Sequence, residues 1–158
     1  MNRRNFLQAS AIMGVSLALG QTVQAVEKIS ADPAATELCT SLLSALAKED
    51  PKERLAAVMP LVHRSLLNNR GNDLDHNVKE FSYRKASGAA KLYQNPAQIV
   101  EVHKGNVTTI GFKETAERGR TDKYFVGKKE GVAGRPAPLH VFWPEKGGAP
   151  KIVNMGSL

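Results

Sequence analysis

The C-terminal stretch of the chain, residues 97–158, carries the pattern that decides the fold. It contains five short segments rich in alternating apolar and polar residues: AQIVEVH (97–103), VTTIGFKETAE (107–117), TDKYFVGKK (121–129), PLHVFWP (138–144) and PKIVNMGSL (150–158). Alternation with a period of two is typical of β-strands that bury one face. The stretch therefore predicts an antiparallel sheet of four to six strands.

Glycine-containing segments between these strands predict where the chain reverses. Lys104-Gly105-Asn106 and Arg118-Gly119-Arg120 are expected to be tight turns, and the Gly- and Pro-rich residues 131–138 an exposed loop. Six basic residues on and around one hairpin would then guard a solvated sheet edge: Arg118, Arg120, Lys123, Lys128, Lys129 and Arg135. The alternative is that they dock an acidic partner or lipid headgroups.

Helices are predicted upstream of the sheet. Asp32-Pro33 and Asp50-Pro51 each combine an N-cap residue with proline at the first helical position. Apolar spacing extends the first helix to Lys48 and the second to Leu66. Pro60 is expected to kink the second helix or to mark a change of helix near Ala57. A third helix is expected at residues 86–94. Residues 72–85 remain open, with a short strand at residues 81–84 as one alternative, because their apolar stripe is out of phase with the next.

Helices followed by antiparallel strands predict an α+β domain over residues 32–158, after a loose lead-in at residues 26–31. This element order, with the terminal hairpin PLHVFWP–PKIVNMGSL, resembles the nuclear-transport-factor-2-like superfamily, which includes ketosteroid-isomerase-like and polyketide-cyclase-like proteins. The resemblance implies helices packed on a curved sheet in a cone-like barrel. It also implies a pocket between the helices and the concave face, which is an enzyme site in some members and a binding cavity in others.

The strand PLHVFWP predicts which side chains face the helices. Leu139, Val141 and Trp143 share one face, and His140 and Phe142 share the other. Three large apolar residues favour burial of the first set. In the superfamily that the chain resembles, the outer face commonly pairs with a second subunit. This implies a weak homodimer with Phe142 as the interface anchor and His140 beside it.

Residues 1–25 have the three parts of an export signal: a basic head, a short apolar run and small residues before a cleavage point at Ala25. Arg3 and Arg4, followed by Phe6 and Leu7, resemble the twin-arginine signal. A general secretion signal is the alternative. The resemblance implies export by the twin-arginine translocase, removal of the signal by signal peptidase and a periplasmic location. The apolar run is shorter than the ~20 residues that span a bilayer, so no permanent membrane anchor is expected.

Composition and motifs narrow the function without identifying it. The net charge of +7 forms no dense patch, and no nucleic-acid-binding motif is present, so nucleic acid is not an expected partner. Cys39 is the single cysteine, on an apolar helix stripe, and is expected to be a buried hydrophobe. His63 is expected to be a hydrogen-bonded histidine at the edge of the core. No histidines stand at metal-ligand spacing, so neither a metal nor another cofactor is predicted.

Three side chains are weak catalytic candidates because they belong to the residue types that catalysts in the resembled superfamily use: His140, Tyr124 and Asp75. No spacing connects them. We therefore expect a non-catalytic module that binds a small ligand or a partner. The alternative is a small cofactor-independent lyase or isomerase that uses the pocket between helices and sheet.

Export should depend on the arginine pair. Changing Arg3 and Arg4 together to Lys removes the planar guanidinium groups and keeps the charge, and should strongly reduce the processed protein in the periplasm. Cell fractionation measures the amount, and mass spectrometry should show a mature chain that begins at Val26. Undiminished periplasmic protein would assign the signal to the general secretion route.

Overall fold

The structure is a computed structural model that describes residues 30–158. The predicted export signal lies outside the described residues, including Arg3, Arg4, Phe6, Leu7 and Ala25. Within the described range, no helix combines the length and apolar character needed to cross a membrane.

The first helix begins and packs as its sequence predicts. α1 spans Pro33–Leu46, and the Asp32 carboxylate accepts a hydrogen bond of 2.8 Å from the Ala34 N–H. Its buried stripe includes Leu42 and Cys39. Burial raises the pKa of the Cys39 thiol to about 12, so the thiolate is absent at neutral pH. The prediction that Cys39 is a buried hydrophobe is confirmed.

The second helix is shorter than predicted. α2 spans Pro51–Val58 and gives way to a 3₁₀ turn at Met59–Leu61, because Pro60 has no N–H to continue the helix. Leu66 lies in a separate 3₁₀ turn, Arg64–Leu66, so its assignment to the second helix was wrong. The intervening chain is extended, and the His63 N–H donates a 2.8 Å hydrogen bond to the carbonyl of Ile152.

A π-helix explains the two apolar stripes that are out of phase. It spans Val78–Tyr83 and runs directly into α3, Arg84–Ala89, which a 3₁₀ turn at Ala90–Leu92 follows. The wider turn of a π-helix takes up additional residues and rotates the side chains that follow. The prediction of a third helix is confirmed, although it begins at Arg84 and α3 ends at Ala89. The short strand considered at residues 81–84 is wrong.

Five antiparallel strands form one open sheet: β1 Ile99–His103, β2 Val107–Ile110, β3 Glu117–Val126, β4 Ala137–Pro144 and β5 Lys151–Asn154. The order is β1-β3-β4-β5, and β2 pairs with the same edge of β3 as β1 does. Helices precede the sheet, so the α+β class is confirmed. The sheet is not closed, which corrects the cone-like barrel.

Two predicted turns are not turns. Residues 104–106 form a bulge between β1 and β2, which continue in one direction along β3. A Cβ at Gly105 would collide with the carbonyl oxygen of Thr121, so glycine is required there by close approach. Arg118, Gly119 and Arg120 lie inside β3. The chain reverses instead at residues 111–116, where Gly111 has a φ of 79°.

The placement of β3 also corrects the role given to the basic run. Arg118, Arg120 and Lys123 lie on the central strand, which has a neighbour on both sides, rather than on a guarded edge. Arg118 pairs with Glu145 at 2.8 Å. Lys128 donates a 2.8 Å hydrogen bond to the carbonyl of Ala133. Arg118 and Lys128 therefore have local partners, as does Arg120, whose Nε lies 2.9 Å from Asp122.

The two faces of the sheet separate as the alternation predicts. Leu139 and Val141 belong to the main core with residues of α1, and Trp143 packs against that core. Their cross-strand partners on β3 are Tyr124, Asp122 and Arg120, which therefore share the face towards the helices. Phe142 and His140 lie on the opposite face, opposite Thr121 and Lys123.

Phe142 is fully buried inside the chain, so its prediction as a dimer anchor is wrong. The His63 ring meets the Phe142 ring edge-on, with centroids 5.1 Å apart. On β3, a Cβ at Gly119 would lie 2.5 Å from the Phe142 ring, which shows how closely this ring packs against the strand. The segment after α2 covers this part of the outer face, and element order alone did not reveal that cover.

Gly119 should not tolerate a side chain, because its contact with Phe142 leaves no room for one. Gly119→Ala would push a methyl group into Phe142 and the Trp143 carbonyl, and should lower the free energy of unfolding by about 1–3 kcal/mol. The matched control is Gly88→Ala in α3, where no atom lies within 4 Å of the new Cβ. It should raise the free energy of unfolding by about 0.5–1 kcal/mol. Urea unfolding measures both, and equal effects would contradict this packing.

Candidate functional site

A cavity of about 380 Å³ lies between the start of α1 and the face of the sheet that packs on the helices. We call it the Trp143 cavity. It is lined by Ser30, Ala31, Asp32, Pro33, Val102, Lys104, Arg120, Asp122, Tyr124 and Trp143. Its volume falls in the range of small-molecule sites. Polar side chains of β3 and apolar side chains, including that of Trp143, therefore line the same cavity.

Asp122 is the most deeply buried charged group of this cavity, with 1% of its surface exposed. Its two oxygens accept hydrogen bonds of 2.9 and 3.1 Å from Nε of Arg120. The bulge at residues 104–106 adds a third, because it brings the Gly105 N–H to 3.0 Å. A buried carboxylate needs such partners to offset the loss of hydration. The same hydrogen bond to Asp122 raises the pKa of Arg120.

Tyr124 stands beside Asp122 on the same face and is almost completely buried. Burial, followed by the negative charges of Asp122 and Asp32, raises the pKa of the Tyr124 hydroxyl to about 12. The hydroxyl therefore keeps its proton at neutral pH. It can donate a hydrogen bond to a molecule in the cavity.

Trp143 lines the cavity, and its indole N–H is buried without a hydrogen-bond partner among residues 30–158. An unpaired buried donor costs about 1–3 kcal/mol. Such donors are rare in folded proteins and indicate strain or a missing partner. The indole ring also supplies a flat apolar surface in the cavity wall.

The structure separates the three catalytic candidates of the sequence. Tyr124 lines the Trp143 cavity, but His140 lies on the opposite face of the sheet, where burial and then the Lys123 charge lower its pKa. Asp75 lines a different cavity of about 560 Å³, which we call the Ser65 cavity. Its carboxylate accepts a 3.0 Å hydrogen bond from the Asn77 N–H. The three side chains therefore do not form one site.

His63 fits its sequence interpretation as a hydrogen-bonded histidine at the core edge. It is 4% exposed, and its ring nitrogens contact Ser65 Oγ at 2.8 Å and Glu117 Oε2 at 3.0 Å. We refer to His63, Ser65 and Glu117 as the His63 cluster. Within residues 30–158, no group of three or more His, Cys, Asp or Glu side chains is arranged to hold a metal ion.

Sequence reasoning missed Asp122 and the unpaired indole of Trp143. One signal was present, because Asp122 stands two residues before Tyr124 and so shares its face in any β-strand. Nothing in the local sequence connects His63 with Glu117, which lies 54 positions further along the chain.

The Asp122 network should contribute measurably to stability. Asp122→Asn keeps the shape but removes the charge that pairs with Arg120, and should lower the free energy of unfolding by about 2–3 kcal/mol. The control, Glu145→Gln, breaks the pair with Arg118, whose side chains are 51% and 61% exposed, and should cost less than about 1 kcal/mol. Denaturant titration compares the two, and a similar loss in both would contradict a structural role for the buried Asp122 carboxylate.

Comparison with known proteins adds no relative to this description. No family model, no curated protein and no solved structure matches the chain. Function is therefore inferred from the cavity and its side chains.

Proposed function

We propose that this protein is an exported, periplasmic module that binds a small ligand in the Trp143 cavity without transforming it. The observation that carries the proposal is the Trp143 cavity of about 380 Å³ itself, which Tyr124 and the Trp143 side chain line together. A ligand oxygen there would accept a hydrogen bond from the Tyr124 hydroxyl. Export and a periplasmic location rest on the sequence of residues 1–25, including the arginine pair.

The cavity favours a ligand that carries acceptor oxygens. Both oxygens of Asp122 are already hydrogen-bonded by Arg120, and one of them also by Gly105. The Tyr124 hydroxyl and the Lys104 ammonium group are donors from the same lining, and Trp143 supplies an apolar ring beside them. A carbonyl or carboxylate on a flat apolar body would meet these donors and lie against the indole.

The same geometry argues against acid–base catalysis here. A general acid or base works best with a pKa near the operating pH. The Tyr124 hydroxyl has a pKa of about 12 and is far from that condition. His140 lies on the other face of the sheet. A lyase or isomerase mechanism in this cavity thus has no titrating group from among the predicted candidates.

Binding can be read directly at the proposed site, because the chain contains one tryptophan. In ¹⁵N-labelled protein, Trp143 gives a single indole N–H resonance. Benzoate and benzamide, which carry acceptor oxygens, should shift it saturably. Benzylamine, which has the same ring and only a cationic donor, should not. A fragment library extends this comparison to larger neutral, anionic and cationic molecules.

Tyr124→Phe should weaken binding of the responsive probes about tenfold, the effect of losing one hydrogen bond of about 1.4 kcal/mol. Tyr93→Phe is the matched control, since Tyr93 is also buried but lies outside the lining of this cavity. Equal affinities in the two variants, or an indole resonance that no fragment moves, would overturn the proposed binding site.

A further inference from the structure

The His63 cluster has a defined direction of hydrogen bonding. The backbone N–H of Ser65 donates a 3.1 Å hydrogen bond to Nδ1 of His63. An acceptor nitrogen carries no proton, so in the neutral ring the proton is on Nε2. Nε2 then donates to Glu117 Oε2 at 3.0 Å. Ser65 Oγ, 2.8 Å from the same unprotonated Nδ1, is therefore the donor of its own hydroxyl proton.

This order of donors is the one that activates a serine. The hydroxyl donates to an imidazole, and the imidazole donates to a carboxylate that orients it. Packing also fixes the His63 ring, since it is 4% exposed and contacts the Phe142 ring edge-on. With its proton directed to His63, Oγ keeps its lone pairs for a reacting carbon.

Ser65 also lines the Ser65 cavity of about 560 Å³, opposite the loop between β2 and β3. Arg64 and Lys113 contribute cationic side chains to the same lining, and Asn69 contributes an amide. These groups are donors that can meet the negative oxygen of a tetrahedral intermediate or an anionic part of a substrate.

We propose that Ser65 is a nucleophile that takes the acyl group of small esters bound in the Ser65 cavity, with His63 as its base and Glu117 as the residue that positions His63. Ser65 Oγ bonds to the ester carbonyl carbon while its proton passes to His63 Nδ1. The alkoxide leaves as the ester C–O bond breaks and takes that proton as an alcohol. Water then gives a proton to His63 while its oxygen bonds to the acyl carbon. The bond between that carbon and Ser65 Oγ breaks, the carboxylic acid leaves, and Oγ takes the proton back from His63. This activity is independent of ligand binding in the Trp143 cavity.

Ser65→Ala separates a catalytic role of Ser65 from a structural role of the His63 cluster. His63 also caps the 3₁₀ turn Arg64–Leu66 through the Ser65 N–H. Ser65→Ala keeps that N–H and removes only the hydroxyl. The variant should therefore fold with nearly the wild-type unfolding midpoint and lose all serine reactivity.

A fluorophosphonate probe tests the proposal on the full mature protein. Peptide mapping should find the phosphonyl group on Ser65, and Ser65→Ala should abolish labelling. Ser87→Ala is the control, because Ser87 bonds only the Arg84 carbonyl on the helix surface, and labelling should persist. Glu117→Gln should lower the maximal labelling rate at least tenfold and leave the half-saturating probe concentration unchanged. Hydrolysis of p-nitrophenyl acetate should follow the same order.

Two results would overturn it. One is the absence of phosphonyl Ser65 in the folded wild-type protein. The other is labelling that Glu117→Gln leaves unchanged while that variant remains folded by circular dichroism. Either would leave the His63 cluster as a structural cap.

Discussion

The opposite orientation of neighbouring side chains on β3 is the constraint on which both candidate sites depend. β3 is hydrogen-bonded on both edges, to β1 and β2 on one side and to β4 on the other. Arg120, Asp122 and Tyr124 therefore face the helices, and Glu117 and Gly119 face the opposite side. A slip of one residue in this register would exchange the two sets and dismantle both sites together.

Close contacts at two glycines hold this register. At Gly105 the backbone of the bulge approaches Thr121 so closely that no side chain fits. That approach delivers the N–H that Asp122 accepts, so the irregularity in the strand partly offsets the cost of a buried carboxylate. At Gly119, the missing side chain leaves room for the Phe142 ring, against which His63 rests. The bulge at Gly105 thus supports the Trp143 cavity on one face of the sheet, and the missing side chain at Gly119 supports the His63 cluster on the other.

The two sites differ in how their polar groups are satisfied. In the Trp143 cavity, the hydroxyl of Tyr124 lies in the same lining as the apolar ring of Trp143, which is an arrangement suited to binding. In the His63 cluster, each ring nitrogen has a partner and the hydrogen bonds run in one direction, which is a property suited to proton transfer. The path of the chain after α2 creates this second arrangement. Pro60 ends the helical run, and the extended residues beyond it bond to β5 through Ile152.

The sequence by itself determined the features that arise from near neighbours and from periodicity. Both Asp-Pro helix starts, the α+β class, the burial of Cys39 and the faces of Leu139, Val141 and Trp143 follow from local hydrogen bonding and side-chain alternation. The sequence also shows that the apolar stripe changes phase before Ala86. A π-helix and a break between two helices produce the same pattern, so the sequence does not distinguish them.

Only the tertiary structure decided which residues meet. A glycine that allows a turn and a glycine that allows two backbones to touch are identical in sequence. The local pattern therefore predicts a turn at both Gly105 and Gly119, where the structure has a bulge and a strand. The cover over Phe142, the location of Asp122 beside Tyr124 and the contact of His63 with Glu117 depend on the pairing register of β3 and the path after α2. Those are set by the sum of many distant contacts, which no local stretch of sequence contains.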